Sequence, residues 1–213
     1  AKRQESGTKL IKIKKIEFVR NADKKFKFML SLQEKYQKEV MPAMMEKFGY
    51  KSPLAVPRIE KVVVNTSFGK LVADKTGDEQ KKIENSILQD LSLICGQKPV
   101  FKKAKKSISA FKLRQGLNIG AVCTMRKKRM YDFLERLIHI VLPRSRDFRG
   151  IDPKVIDKSG NLTIGLKEYI AFPEILTEKA KNIFGLEITV VTNAKNQEKG
   201  LDLLRLMGLP IKK

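Results

Sequence analysis

RIEKVVVNT, at residues 58–66, begins with alternating polar and apolar side chains and ends in a β-branched run. This pattern is typical of a β-strand. Outward from it, IGAVCTMR at residues 119–126 predicts a second strand, and the short segments 162–166 and 187–192 predict two more. The chain is therefore expected to contain a β-sheet.

Apolar residues at helical spacing occur between these strands. We expect helices at residues 28–48, 80–94, 130–142 and 196–206. Pro42 lies inside the first of these patterns and should end or kink the helix near Val40 or Met41, because proline has no backbone N–H to donate. Pro143 should close the third helix.

The remaining segments are predicted as connections. Residues 69–79 should form an open loop, and residues 99–102 and 108–113 should form two extended arms joined by a basic turn. Strands come in runs with helices between them, which favours an α+β fold: a mainly antiparallel sheet with helices packed on one face and the other face free to bind a partner. We expect two parts, a basic N-terminal extension at 1–27 and a single α+β domain at 28–213.

The large positive net charge of the chain predicts a partner of opposite charge. The chain has 213 residues, with 45 Lys and Arg against 23 Asp and Glu, so its formal net charge is +22. Residues 98–129 contain eleven basic residues and no acid, and so carry half of that excess. A compact chain this basic repels itself unless a polyanion accompanies it. A phosphate-binding surface is favoured over a solubilising lysine-rich one.

Signals of other protein classes are weak or absent from the sequence. Apolar runs are far shorter than the roughly 20 residues that cross a bilayer, and the charged N-terminus is unlike a secretory signal. Phosphate-loop, dinucleotide and zinc-protease motifs are missing. Cys95 and Cys123 are expected to pack as small apolar residues, and His139 to be structural or RNA-facing. We expect no catalytic residues, no metal and no cofactor.

Four long blocks, in order, carry a resemblance to a known family. They are EKYQKEVMPAMMEKFGYKSPLAVPRIEKVVVN (34–65), GQKPVFKKAKKSISAFKLRQGLNIGAVCTMR (96–126), MYDFLERLIHIVLPRSRDFRGI (130–151) and GNLTIGLKEYIAFPEI (160–175). The chain resembles the family of large-subunit ribosomal protein five, in its bacterial or organellar form, which binds 5S ribosomal RNA in the central protuberance. It departs from the family pattern at residues 1–27 and in a longer segment at 69–84 that lacks a common Gly-Val-Gly turn.

The resemblance implies three contact regions. In the family, the sheet presents polar side chains to a loop of 5S rRNA, and the positions expected to bind here are Asn65, Gln97, Thr124, Lys61 and Arg126. The arm at 101–120 is similar to a hairpin that approaches the elbow of the P-site tRNA, with Lys103, Lys105, Lys106, Ser107, Lys112 and Arg114 as contacts. These cations have no local acid and should stay mobile until they meet phosphate. The loop at 143–161 matches the region that reaches a small-subunit protein at an intersubunit bridge, with Arg144, Arg146, Asp147 and Arg149.

The implied partners are 5S rRNA, 23S-type rRNA, P-site tRNA, a small-subunit protein and neighbouring large-subunit proteins, without a membrane or a small-molecule substrate. The implied location is a cytoplasmic ribosome, with an organellar ribosome less expected. Two other hypotheses remain open from the residues: a free single-strand RNA binder or assembly factor, and an RNA-modifying enzyme. The scarcity of aromatic residues, 7% of the chain, disfavours the first.

Overall fold

A computed structural model describes residues 31–73, 75, 77–146, 148–175 and 183–212. The predicted extension at 1–27 and the start of the first predicted helix lie outside the described residues, so the predicted division into two parts stays a prediction.

The described chain alternates helices with single strands or strand pairs. The helices are α1 (Leu32–Lys35), α2 (Met41–Phe48), α3 (Gly69–Val72), α4 (Asp78–Cys95), α5 (Lys127–Arg136), α6 (Leu142–Arg144) and α7 (Gln197–Leu206). The strands are β1 (Ile59–Ser67), β2 (Val100–Lys103), β3 (Asn118–Met125), β4 (Leu162–Leu166) and β5 (Leu186–Thr192). Short 3₁₀ turns lie at Pro53–Ala55, Ser109–Phe111, Pro153–Val155 and Tyr169–Ala171.

All five strands form one sheet in the order β2-β3-β1-β5-β4. Each neighbouring pair is antiparallel, which confirms the predicted fold class. β1 lies at the centre, where Val64 is opposite Cys123 of β3 and Ile188 of β5. The four strands predicted from the sequence, β1, β3, β4 and β5, agree with the structure to within one residue at each end.

In both helical runs that contain a proline, a π-helical turn separates two α-helical segments, and the run continues. A π-helical turn, Tyr36–Val40, joins α1 to α2, and a second, Leu137–Val141, joins α5 to α6. In each case proline occupies the first turn of the next α-helical segment. A proline cannot donate to the preceding turn and its ring crowds the carbonyl there, and a π turn accommodates both effects. Pro42 was predicted to end or kink the helix. The helical run instead continues through Pro42, with a π turn just before it.

Two predicted connections differ from the structure. The expected open loop at 69–79 contains α3, and α4 begins at Asp78, where Asp78 and Glu79 place negative charge in its first turn. The prediction of a second extended arm at 108–113 was wrong: those residues form a tight turn in which Ile108 and Leu113 pair across the 3₁₀ turn Ser109–Phe111. The chain must reverse direction here, because β2 pairs with β3.

The period of two along each strand separates two faces of the sheet. Side chains of one face are buried in a single core with the helices, and on β1 these include Val62, Val64 and Thr66. The intervening residues Lys61 and Asn65 lie on the opposite face and are half-buried. Within the described part of the chain, the helices cover the first face and leave the second open.

The docking of α7 requires a glycine. A Cβ added at Gly200 would lie 2.5 Å from the Cα and 2.6 Å from the carbonyl oxygen of Gly160, so backbone would have to move. Gly160 precedes β4, and its carbonyl also accepts a hydrogen bond from Thr192 Oγ1 at 2.9 Å. This close approach fixes the last helix against the β4–β5 pair.

We expect Gly200→Ala to lower the free energy of unfolding by about 1–3 kcal/mol, because overpacking outweighs the better helix propensity of alanine. Urea denaturation measures this change. Gly165→Ala is the matched control, since a Cβ there meets nothing within 4 Å. Equal stability of the two variants would contradict the described α7 packing.

Candidate nucleic-acid interface

The open sheet face consists of small polar and aliphatic side chains in rows across the strands. One row runs through Val100, Val122, Asn65, Glu187 and Gly165, and the next through Thr124, Val63, Thr189 and Thr163. The hydroxyl oxygens of Thr163 and Thr189 are hydrogen-bonded to each other at 3.2 Å. The face therefore offers hydroxyl and amide groups over the width of the sheet.

Asn65 lies in the middle of this face. Its Nδ2 donates to Glu187 Oε2 at 3.0 Å, across the β1–β5 pair. Among the described residues its Oδ1 accepts no hydrogen bond. Glu187 thus fixes which way the amide is turned and leaves the oxygen as an acceptor.

Gln97 reaches the sheet from the end of α4. The helix ends at Gly96, whose backbone is left-handed with φ 65°, and the chain then turns toward β3. Gln97 Nε2 donates to the backbone oxygen of Thr124 at 2.7 Å, and Arg129 Nη1 reaches Gln97 Oε1 at 3.4 Å. The structure therefore brings two of the predicted residues, Gln97 and Thr124, into contact.

Cations border the face where β1 begins and β3 ends. Lys61 is half-buried on the open face opposite Val191, and Arg126 is exposed directly after β3. Arg126–Arg129 form the N-cap and the start of α5, and the first turn contains no acid. The N-terminus of a helix carries a partial positive charge, and these cationic side chains add to it. This end of α5 therefore favours the binding of an anion.

The predicted arm is present as the β2–β3 hairpin with an irregular tip. Its residues Lys103, Lys105, Lys106, Ser107, Lys112 and Arg114 are all exposed. Lys112 has an interaction within the protein, and the expected contacts of the arm with tRNA stay a prediction.

The loop after α6 surrounds a cleft of about 720 Å³ beside the edge strand β4. Arg144, Arg146 and Arg149 are exposed along this cleft, whereas the predicted contact Asp147 lies outside the described residues. Asp152 also lines the cleft, and its Oδ1 accepts a hydrogen bond from Lys154 N at 2.9 Å and caps a 3₁₀ turn. The described lining of the cleft is cationic on balance, with Arg144, Arg146, Arg149, Lys167 and Lys212 against Asp152 and Glu168.

Comparison with known proteins identifies one family over most of the chain. The family model for ribosomal protein L5 matches residues 52–114, and the model for the C-terminus of the same ribosomal family matches residues 118–211. The chain belongs to the ribosomal protein L5 family.

Three relatives, each named large ribosomal subunit protein uL5, illustrate the similarity. The protein of Desulforapulum autotrophicum is 47% identical over 184 residues, covering 86% of this chain and 99% of the relative. That of Dictyoglomus turgidum is 50% identical over 182 residues, with 85% and 98% covered. That of Desulfatibacillum aliphaticivorans is 48% identical over 185 residues, with 87% and 100% covered.

Membership of the L5 family confirms the predicted resemblance and the prediction of a ribosomal, non-enzymatic protein. In the described ranges, no group of three His, Cys, Asp or Glu residues is arranged to hold a metal, and no helix is long and apolar enough to span a membrane. Cys95 and Cys123 are both buried, as small apolar residues would be. A hydrogen bond to Cys123, together with burial, raises the pKa of the Cys95 thiol.

Glu187, Thr189 and Thr163 lie on the open face and were not predicted from the sequence. The alternation in LEITVVT, residues 186–192, places Glu187 and Thr189 on one face, so that signal was available. Their position beside Asn65 depends on the register of β1 with β5, which the sequence alone does not specify.

The Gln97–Thr124 contact has a structural role that must be separated from any RNA contact. We expect Gln97→Ala to destabilise the protein by about 0.5–1.5 kcal/mol, because the Thr124 carbonyl loses its donor. Denaturant titration measures this change. Gln89→Ala, at an exposed position of α4, is the control and should be nearly neutral; a neutral result for Gln97→Ala would count against the contact.

Proposed function

We propose that this protein is a structural constituent of the large ribosomal subunit that binds 5S rRNA in the central protuberance, in a bacterial-type cytoplasmic ribosome. One observation carries the proposal. The sheet has one face sealed by helices and another that displays Asn65, Thr124, Thr163 and Thr189 with no described helix over it. Its L5 relatives are proteins of the large subunit.

The chemistry of the open face suits RNA. Base edges and 2′-hydroxyl groups both donate and accept hydrogen bonds, and amide and hydroxyl side chains do the same. Asn65 presents an oriented amide oxygen, and Lys61 and Arg126 supply positive charge for the phosphates beside it. A cationic border around a polar centre, whose acid Glu187 is hydrogen-bonded to Asn65, supports binding of a folded RNA loop.

The arm and the loop extend the proposal to further partners. The exposed cations of the β2–β3 arm support contact with the P-site tRNA and with 23S-type rRNA. The arginine-lined cleft after α6 supports contact with a small-subunit protein at an intersubunit bridge and with neighbouring large-subunit proteins. Co-migration with mature large subunits on sucrose gradients is expected, whereas release from them would indicate an assembly factor.

We expect alanine at Asn65, Gln97 or Thr124 to weaken 5S rRNA binding by about 1–3 kcal/mol each, because a polar partner on the RNA is left unsatisfied. Filter binding with folded variants measures this loss. Asn85→Ala, at an exposed position of α4, is the control. Wild-type affinity in all three variants would refute the sheet-face assignment.

We expect the double variant Lys105→Glu and Lys106→Glu to weaken tRNA binding and to spare 5S rRNA binding. The matched control is Lys81→Glu with Lys82→Glu, which makes the same charge change at exposed positions of α4. Each lost phosphate contact should also reduce the slope of log K against log salt by about 0.7–0.9. Equal losses of tRNA binding in both double variants would mean that net charge, and not the arm, determines it.

A further inference from the structure

The tip of the arm exposes an aromatic ring. Phe111 is 66% exposed, and Ile108, in the same turn, is 44% exposed. By contrast, Phe101 at the base of the arm packs edge-on against Phe68, with ring centroids 6.3 Å apart. A single exposed apolar side chain is ordinary on a protein surface, so the surroundings of Phe111 decide whether it has a role.

Backbone hydrogen bonds give the tip a defined shape. Ile108 and Leu113 exchange two N–H···O bonds of 3.0 and 3.1 Å, and the Phe111 N–H donates to the Ile108 oxygen at 3.3 Å. Below them, Gln115 N donates to Ser107 Oγ at 2.9 Å. The ring of Phe111 is therefore carried on a closed turn, and a partner binding there need not order a flexible loop.

The charged side chains around the Phe111 ring are all cationic. Lys105, Lys106 and Arg114 are exposed, and within the described part of the chain none of them forms an ion pair. The sequence from 98 to 129 contains no acid at all. An apolar groove of a protein partner would pair with Phe111 and Ile108 but would leave these cations without counter-charges. A nucleotide provides both an aromatic face and a phosphate.

We propose that Phe111 stacks on an unpaired base of the RNA that the arm contacts, while Lys105, Lys106 and Arg114 meet the adjoining phosphates. This inference rests on the proposed contact of the arm with RNA and adds its chemical mode. Stacking accepts any base, so the contact holds the RNA without reading its sequence.

The test uses the absence of tryptophan from the chain. Phe111→Trp introduces a single tryptophan at the tip, whose emission can be excited apart from that of the four tyrosines. Leu54→Trp is the matched control, at a 92% exposed position just before β1 begins, away from the arm. With tRNA as the probe, we expect the emission of Phe111→Trp to fall at least about twofold and that of Leu54→Trp to stay nearly unchanged. A fully base-paired RNA duplex should quench neither. Equal quenching at both positions, or by the duplex, would overturn the proposal.

Affinity measurements separate stacking from apolar contact. We expect Phe111→Leu to weaken tRNA binding by about 5- to 100-fold and Phe111→Tyr to keep it within about twofold, because tyrosine retains the ring. Wild-type affinity of Phe111→Leu would overturn stacking and indicate an apolar, protein-type contact. If Lys105→Glu with Lys106→Glu still weakens binding in that case, the proposed arm function stands without stacking. If neither change has an effect, both proposals fail.

Discussion

The structure depends on the antiparallel pairing of β1 with β3 on one side and β5 on the other. Because side chains alternate along a strand, this register sends Val62 and Val64 into the core and Asn65 to the open face. A slip of one residue would exchange the two sets, burying an amide and exposing valines. The same pairing that stabilises the fold thus also determines which side chains the open face presents.

Charge is distributed to match this division of the sheet. The acid-free segment from residue 98 to 129 folds into the arm, β3 and the start of α5, so its cations border the open face and extend beyond it. The face itself is nearly neutral, and its acid Glu187 is held by Asn65. In the proposed complex, phosphates meet the cations around the edges while hydroxyl and amide groups occupy the centre. Binding of the proposed RNA partner reduces the electrostatic repulsion among the cations of the protein.

Much of the fold was predictable from the sequence, because alternation and β-branching mark β1, β3, β4 and β5 strongly. Proline was harder to interpret: Pro42 suggested an end or a kink, but the helical run continues through it after a π turn. The segment 108–113 has strand-like composition, yet chain reversal between β2 and β3 imposes a turn on it. Contacts between distant segments, such as Gln97 with Thr124, depend on tertiary packing that periodicity does not reveal.

The most direct measurement places a photo-crosslinking amino acid on either side of the sheet and maps its products with 5S rRNA. Val100 is 65% exposed in the same row as Asn65, and Leu93 is 58% exposed on α4, which packs on the other face. The account predicts crosslinks to 5S rRNA from position 100 and few from position 93. Strong crosslinking from position 93 with none from position 100 would contradict it.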